Sequence, residues 1–419
     1  MFQRPRGTRD ILPEDMDKRK YVEEIFRRTF KSFGYREIQT PTFEHLELFT
    51  AKSGEGIIEE IYAFKDKSGR DLALRPELTA PVIRMYVEKM QMQPKPLKLF
   101  YFGSCFRYDR PQKGRYREFT QAGCELIGVN TPAALAELIS LSWSCLRNIG
   151  LKNMVLKIGN LDILQAVLDK LGIGKEMQRT LLPLIDKREY GKIEEFLSSE
   201  ALSHSDTERL IHFLKLDNID EIESFVQELG LRKDSLSHLR KVISFLPMFD
   251  VNDFKISMEI VRGLEYYKGI VFEIEAPSLG AEKQICGGGS YELISLFGGK
   301  NVSTSGFAIG FDRVVLALEG EGFKFPSSKL KTYVIPVEED VLSNAIQLTM
   351  KLRKRGIASD IDLTGRSLSK SMKYANSINA ENAIIIGKKD LEEGKVTVRD
   401  MKTGEQRLVD VDKVIDTIV

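Results

Sequence analysis

The sequence predicts an α+β fold, with a helical insertion and a small α/β domain toward its carboxy-terminal end. Three observations lead there. Runs such as "LKLFYFGSCFRY" are rich in aromatic and β-branched residues and read as strands. From about 161 to 250, Leu, Ile, Lys, Glu and Asp recur at helical spacing with few strand signals. After 330 the pattern alternates strand, helix and strand, from "TYVIPV" to "KVTVRD", as a small α/β domain would.

The elements follow in order. Residues 14–33 place Tyr21, Ile25, Phe26, Phe30 and Phe33 at helical spacing, and Gly34 stops the helix. "YREIQTPTFE" is extended, and its Pro41 suits an edge strand. "DLALRPELTAPVIRMYVEKM" reads as a strand, a turn at Arg75-Pro76 and a helix. "PAALAELISLSWSCLRNIG" is an amphipathic helix ended by glycine. Strands return at "FKISMEIVRGLEYYKGIVFEIEA", followed by "CGGGSYELISLFGG" and "STSGFAIGFDRVVLALEG". The expected organisation is a first part at 1–160, an insertion at 161–250, a second part at 251–322, a linker at 323–330 and a final domain at 331–419.

Composition narrows the function. The chain has 419 residues, 42% hydrophobic and 29% charged, with a net charge of +1. That length suits two or three domains. The charge balance argues against holding nucleic acid by bulk electrostatics, while leaving room for a local basic surface. The cysteines Cys105, Cys124, Cys145 and Cys286 form no C-x-x-C pair, which points away from a structural zinc or disulfide framework. The opening "MFQRPRGTRDILPEDMDKRK" lacks an apolar h-region, and no apolar run is long enough to span a bilayer. A cytoplasmic protein is expected.

The charge is concentrated in "FRYDRPQKGRYREFTQAGCEL", where Arg107, Arg110, Lys113, Arg115 and Arg117 crowd one short stretch. Read as strands at 97–107 and 115–127 joined by a loop, it places Tyr101, Gly103 and Arg107 on one face of the first strand. On the second strand Arg117, Gln121, Gly123 and Glu125 share a face, and Tyr116, Thr120, Ala122, Cys124 and Leu126 share the other. The pattern alone fits a solvated charged hairpin or a polar row with room for a ligand. Elsewhere "LRPELTA" carries an arginine, Arg75, followed by Glu77 and Thr79, two apart and so on one face if extended. Arg262 stands at a strand end before two tyrosines, and "GFAIGFDRV" sets Arg313 where a helix should begin. Arginines beside glycines and carboxylates resemble a set of phosphate clamps.

Together these segments resemble class II aminoacyl-tRNA synthetases, and specifically the histidyl-tRNA synthetase family. "GYREIQTPTFE" resembles motif 1, "FRYDRPQKGRYREFTQAGCE" motif 2, and "GFAIGFDRV" motif 3. "VRGLEYYKGIVFE" and "CGGGSYE" resemble the two segments peculiar to the histidine enzymes, and "PRGTRDILPED" also matches. The resemblance spans nearly the whole chain. It implies a catalytic domain built on a mainly antiparallel sheet flanked by helices, with an anticodon-binding domain behind it.

The implied reaction joins histidine to ATP, releasing pyrophosphate, then passes the histidyl group from its adenylate to the 3′-terminal adenosine of tRNA(His). In-line displacement at the α-phosphate needs positive charge in fixed places. By resemblance Arg107 and Arg262 face the α-phosphate, Arg313 holds the far end of a bent ATP, and Arg115 also contacts the nucleotide. Mg²⁺ is expected with the ATP phosphates, and no structural metal. The histidine ammonium is assigned to Glu77, Thr79 and Gln121, and its imidazole to Glu125 and Tyr267, because a selective site needs a partner for each ring nitrogen. Tyr266 and Tyr291 are expected to line the pocket, and glycines 287–289 to let the backbone approach the ligand. Arg110, Gln112, Lys113 and Arg115 are loop candidates for the tRNA acceptor stem. Arg366, with Lys370, Lys373 and the "KLRKRG" residues Lys351, Arg353, Lys354 and Arg355, would face RNA from the last domain, unless these are ordinary solvated helix faces. Motif 1 implies a homodimer, and the insertion is expected to embrace the acceptor arm.

The pattern departs from the family at Glu265, where Asp is usual, and at Ser290 and Glu292, where "GGRYD" is commoner. Three rival readings are a regulatory relative found with ATP phosphoribosyltransferase, a pseudo-synthetase that senses tRNA, and a general RNA-binding protein. The first lacks the last domain. The second would lose Arg107, Arg262 or the histidine-binding residues. The third has no use for Glu77, Gln121, Glu125 and Arg313 together.

Overall fold

The computed structural model describes residues 2–53, 55–110, 114–261, 267–326 and 330–418. The chain divides into two compact units, Met1–Phe325 and Pro326–Val419.

The first unit begins with helix Pro13–Ser32. Pro at its first turn costs no hydrogen bond, and Glu14 and Asp15 sit where the helix dipole favours them. Its apolar face buries Val22, Ile25, Phe26 and Phe30, and the Phe30 ring stacks on Phe100 at 4.9 Å. Gly34 then takes φ +80°, a conformation that favours glycine. Pro41 does not lie in an edge strand. It falls between strand Arg36–Glu37 and strand Phe43–His45, which belong to different sheets. Proline has no N–H to give a ladder, and its carbonyl here accepts from Arg75.

Among the described residues, eight strands form one sheet, in the order Arg36–Glu37, Leu97–Phe106, Glu118–Ile127, Thr304–Gly310, Gln284–Tyr291, Tyr267–Glu275, Val155–Asn160 and Lys255–Ile256. Pairing is antiparallel throughout the middle and parallel only at the two short edge strands. Helix Pro132–Asn148 covers the sheet, with Thr131 capping the Ala134 N–H and Leu138, Ile139, Leu141 and Cys145 buried. A smaller sheet orders Phe43–His45, Asp71–Leu74 and Ala63–Lys65.

From Leu161 to Phe245 the described α-helices are Leu161–Lys170, Lys175–Asp186, Tyr190–Ser199, His204–Lys215, Ile219–Glu228 and Ser237–Phe245. Asn160, Ser203 and Asn218 cap three of them through their side-chain oxygens. Their buried residues, Leu181, Leu197, Leu210 and Leu239 among them, join one continuous apolar cluster with Phe26, Phe100 and Phe307 of the sheet region. The second unit holds a sheet ordered Ser359–Ile361, Thr332–Pro336, Asn382–Ile386, Lys395–Asp400 and Gln406–Asp410, parallel in its first pairs and antiparallel in its last. All four cysteines are buried, and none is in a disulfide. Among the described residues no helix is long and apolar enough to cross a membrane.

Candidate active site

The site grows from the pairing of Leu97–Phe106 with Glu118–Ile127. Their register sets Leu99 opposite Glu125, Tyr101 opposite Gly123 and Gly103 opposite Gln121. One face therefore carries Tyr101, Gly103, Gln121, Gly123 and Glu125. Glu125 is 1% exposed. One carboxylate oxygen accepts the Tyr101 hydroxyl at 3.1 Å, and the other accepts the Tyr291 hydroxyl from two strands away. Burial pushes the Glu125 carboxyl up to about 8. Hydrogen bonds from Tyr291, Thr79 and Tyr101 oppose that rise, and the Glu77 charge adds to it. The carboxyl is thus nearly enclosed and held by three hydroxyls, and among the described residues no cation pairs with it.

Glycines make the room. A Cβ at Gly306 would lie 1.9 Å from Glu125 Oε2, and one at Gly123 would lie 2.6 Å from the Tyr101 hydroxyl. Tyr267 sits opposite Tyr291 in the next strand, the two rings meeting edge to face at 6.3 Å. The glycine cluster differs from expectation. A Cβ at Gly288 would strike the Gly306 carbonyl at 2.4 Å, and Gly289, at φ +157°, would strike the Ile270 carbonyl at 2.5 Å. These two glycines are required by neighbouring strands.

Glu77 and Thr79 also differ from the sequence reading. They do not share the face of a strand, because helix Thr79–Lys89 begins there. The Glu77 carboxylate accepts the Thr79 N–H at 2.6 Å and the Ala80 N–H at 3.0 Å, satisfying two donors of the first helical turn. Thr79 still reaches the pocket, through its hydroxyl on Glu125. Gln121 accepts the Cys105 thiol at 3.4 Å.

The arginines stand on backbone carbonyls. Arg107 Nε donates to the Pro76 carbonyl at 2.9 Å, one residue from Glu77, and its guanidinium lies 5.3 Å from the Phe119 ring centre. Arg313, in the first turn of helix Phe311–Gly320, donates to the carbonyls of Gly114 at 3.2 Å and Gln284 at 2.9 Å. Arg110 and Arg115 are exposed on the loop. Arg117 leaves the face expected for it. The second strand starts at Glu118, and Arg117 turns to stack 3.9 Å over Tyr108. Arg262, Tyr266, Glu265, Gln112 and Lys113 lie outside the described residues. Ser290, 6% exposed, donates to Asn130 at 3.0 Å, and Glu292 pairs with Lys268 at the surface.

Two features of the site differ from the sequence reading, which counts Arg75 among the phosphate clamps and does not single out Asp312. Arg75 is 5% exposed and donates to the carbonyls of Ser104, Thr40 and Pro41 at 2.8–3.0 Å, and burial pulls its pKa down. Asp312, 4% exposed, accepts from Arg9, Arg19 and the Thr120 N–H. An acidic residue before a site arginine was the only local signal for the second. Among the described residues no group of three or more His, Cys, Asp or Glu is placed to hold a metal ion.

In the second unit Arg366 lies 4.3 Å over the Tyr374 ring and 3.5 Å from buried Asp362. Burial alone would push Asp362 up. Hydrogen bonds from Ser371 and Thr364 and the Arg366 charge hold it below the usual carboxylate value. Lys354, Arg355, Lys370 and Lys373 are exposed, as are Lys351, 3.7 Å from Asp412, and Arg353, which donates to the Ser359 carbonyl.

Comparison with known proteins bears on this arrangement. Residues 7–314 match the family model described as histidyl-tRNA synthetase, and residues 331–419 match that of an anticodon binding domain. The chain is 45% identical over 415 residues to a protein of Methanosarcina acetivorans named histidine–tRNA ligase, covering 99% of this chain and 98% of that one. A protein of the same name from Archaeoglobus fulgidus is 45% identical over 409 residues, covering 97% of both. Among solved structures, apo histidyl-tRNA synthetase of S. aureus superposes with a TM-score of 0.77 at 32% identity over 100% of both chains.

Proposed function

The chain belongs to the histidyl-tRNA synthetase family, and from that premise we propose how its residues divide the work. It is a histidine-activating ligase. Histidine and ATP give histidyl-adenylate and pyrophosphate, and the histidyl group then passes to tRNA(His).

Glu125 receives one imidazole nitrogen of the substrate and Tyr267 the other, while Tyr266 and Tyr291 line the pocket. Glu77, Thr79 and Gln121 receive the ammonium group. Arg107 and Arg262 hold the α-phosphate, and Arg313 with Arg115 the rest of ATP. Charge develops on the phosphates during displacement, and donors anchored beforehand on carbonyls need little reorganisation to meet it. Mg²⁺ enters as part of the ATP substrate and shares its phosphate charge. Arg110, Gln112, Lys113 and Arg366 contact tRNA, and the helices of 161–250 embrace its acceptor arm. Two chains pair through the motif 1 side, where Phe43 and Phe64 are 53% and 43% exposed and meet ring to ring at 6.4 Å. The enzyme works in the cytoplasm, with the anticodon-binding part at 331–419.

The observation that carries the pocket reading is Glu125. A deeply buried carboxyl with which no cation among the described residues pairs suits a substrate that brings its own N–H donors. The test is ATP–pyrophosphate exchange without tRNA, one amino acid at a time. Exchange that depends on histidine alone is expected. Exchange with other amino acids, or none from a folded protein, would overturn the pocket assignment.

A further inference from the structure

The amino-terminal segment touches both halves of the ATP-binding region. The Gly7 carbonyl accepts the Arg117 N–H at 2.9 Å, and Gly7, at φ +84°, lies so close that a Cβ would meet the Arg117 side chain at 2.7 Å. Two residues later the Arg9 guanidinium lies 3.9 Å over the Tyr116 ring and pairs with Asp312. Asp312 is the residue before Arg313. Its other carboxylate oxygen accepts the Thr120 N–H at 2.7 Å, at the base of the second motif 2 strand. Arg19 completes the cluster, pairing with Asp312 and donating to the Thr120 hydroxyl at 2.7 Å. On the far side of the loop Gly114 receives Arg313 itself.

We propose that residues 7–9 form a strap that positions the ATP clamp. Arg9, through Asp312 and Tyr116, sets the helix start that carries Arg313 against the loop stem that carries Arg107. This rests on the reading of Arg107 and Arg313 as nucleotide-binding groups. The Arg107 N–H donates to the Arg117 carbonyl at 3.0 Å, so the residue held by Gly7 is also the one paired with Arg107. Arg9 is a positioning residue and touches no substrate in this account. A planar guanidinium suits the place, because it stacks on an aromatic face and pairs with a carboxylate at once. The strap meets the motif 2 stem at Tyr116 and Arg117 and the start of the Arg313 helix at Asp312, so its loss should be felt by ATP more than by histidine.

The experiment compares Arg9→Ala, Arg9→Lys, Tyr116→Ala and Arg313→Ala in the full-length protein by histidine-dependent ATP–pyrophosphate exchange, titrating each substrate in turn. Arg9→Ala and Tyr116→Ala are expected to raise the KM for ATP roughly tenfold and leave the KM for histidine within about twofold, with Arg9→Lys recovering part of the loss. Should Arg9→Ala fail to fold, Tyr116→Ala and Arg9→Lys carry the same comparison. If Arg313→Ala raises the KM for ATP while the Arg9 and Tyr116 variants do not, or if they raise both KM values together, the strap is overturned and the clamp stands. If Arg313→Ala leaves the KM for ATP unchanged, the clamp falls and the strap with it.

Discussion

The proposed histidine pocket and the proposed ATP clamp are built around one sheet but in opposite ways. In the pocket, side chains hold side chains: Glu125 is enclosed by the hydroxyls of Tyr101, Tyr291 and Thr79. In the clamp, side chains lean on main chain: Arg107 on Pro76, and Arg313 on Gly114 and Gln284. The difference follows from what each must recognise. An imidazole is small and nearly neutral, so discrimination needs a closed shape and paired polar atoms. A triphosphate is large and strongly charged, so it needs cations at set positions that remain reachable from solvent. The pocket accepts an electrostatic cost for its closure, and the clamp does not.

Three substitutions would sharpen or break that contrast. Arg107→Ala should cut the rate of pyrophosphate exchange by roughly 10²–10³, the scale for losing one donor to developing charge, with folding unchanged. Thermal melting together with exchange kinetics would decide it, and a rate near wild type in a folded variant would remove Arg107 from the clamp. Gly306→Ala should act on the pocket first, since its Cβ would take the place of a Glu125 oxygen, and would also crowd the Cys124 carbonyl at 2.6 Å. An overpacked core site costs about 1–3 kcal/mol. Histidine dependence should weaken by more than about tenfold, while ATP, titrated at saturating histidine, should bind as before.

Glu125→Gln has the smallest expected effect and the most telling sign. It should raise the KM for histidine by about tenfold, the scale for weakening one buried polar contact. It should also stabilise the unliganded protein. The folded carboxyl sits at about 8 against an ordinary 4.5, so the folded state binds the proton more tightly than the unfolded state does. Stability from this group is therefore full below about pH 4.5 and is lost as pH rises toward 8, by about 1.4 kcal/mol per pH unit. Glutamine escapes that loss. Melting curves from pH 5 to pH 9 should show the variant gaining on the wild type as pH rises. A constant difference would mean that the carboxyl is not desolvated as described.

Much of this was legible in the sequence. Strand alternation set Gln121 and Glu125 on one face, and helical spacing placed the core of Pro13–Ser32. What stayed hidden was nonlocal. Arg117 reads as a strand residue because nothing local reports Gly7 and Tyr108 pulling it aside. Glu77 and Thr79 look like a polar strand face until the helix beginning at Thr79 calls on Glu77 as its cap. The glycines at 288 and 289 suggest a ligand, whereas the atoms that exclude a side chain belong to strands elsewhere in the sequence. Arg75 reads as a phosphate clamp and Asp312 draws no notice, because their partners lie as far off as Thr40 and Arg9. Periodicity sees one strand or helix at a time, and both residues act between elements.

If Glu125 receives the imidazole as proposed, its raised carboxyl makes histidine capture a matter of proton traffic. Burial raises the carboxyl toward its protonated form, and an imidazole N–H arriving on that oxygen favours the proton's departure. Binding is then coupled to acid release, and part of the measured heat belongs to whatever buffer takes up the proton. Two calorimetric titrations at pH 7, in buffers of high and low ionisation enthalpy, should differ by the released fraction, and the Glu125→Gln protein should not distinguish them.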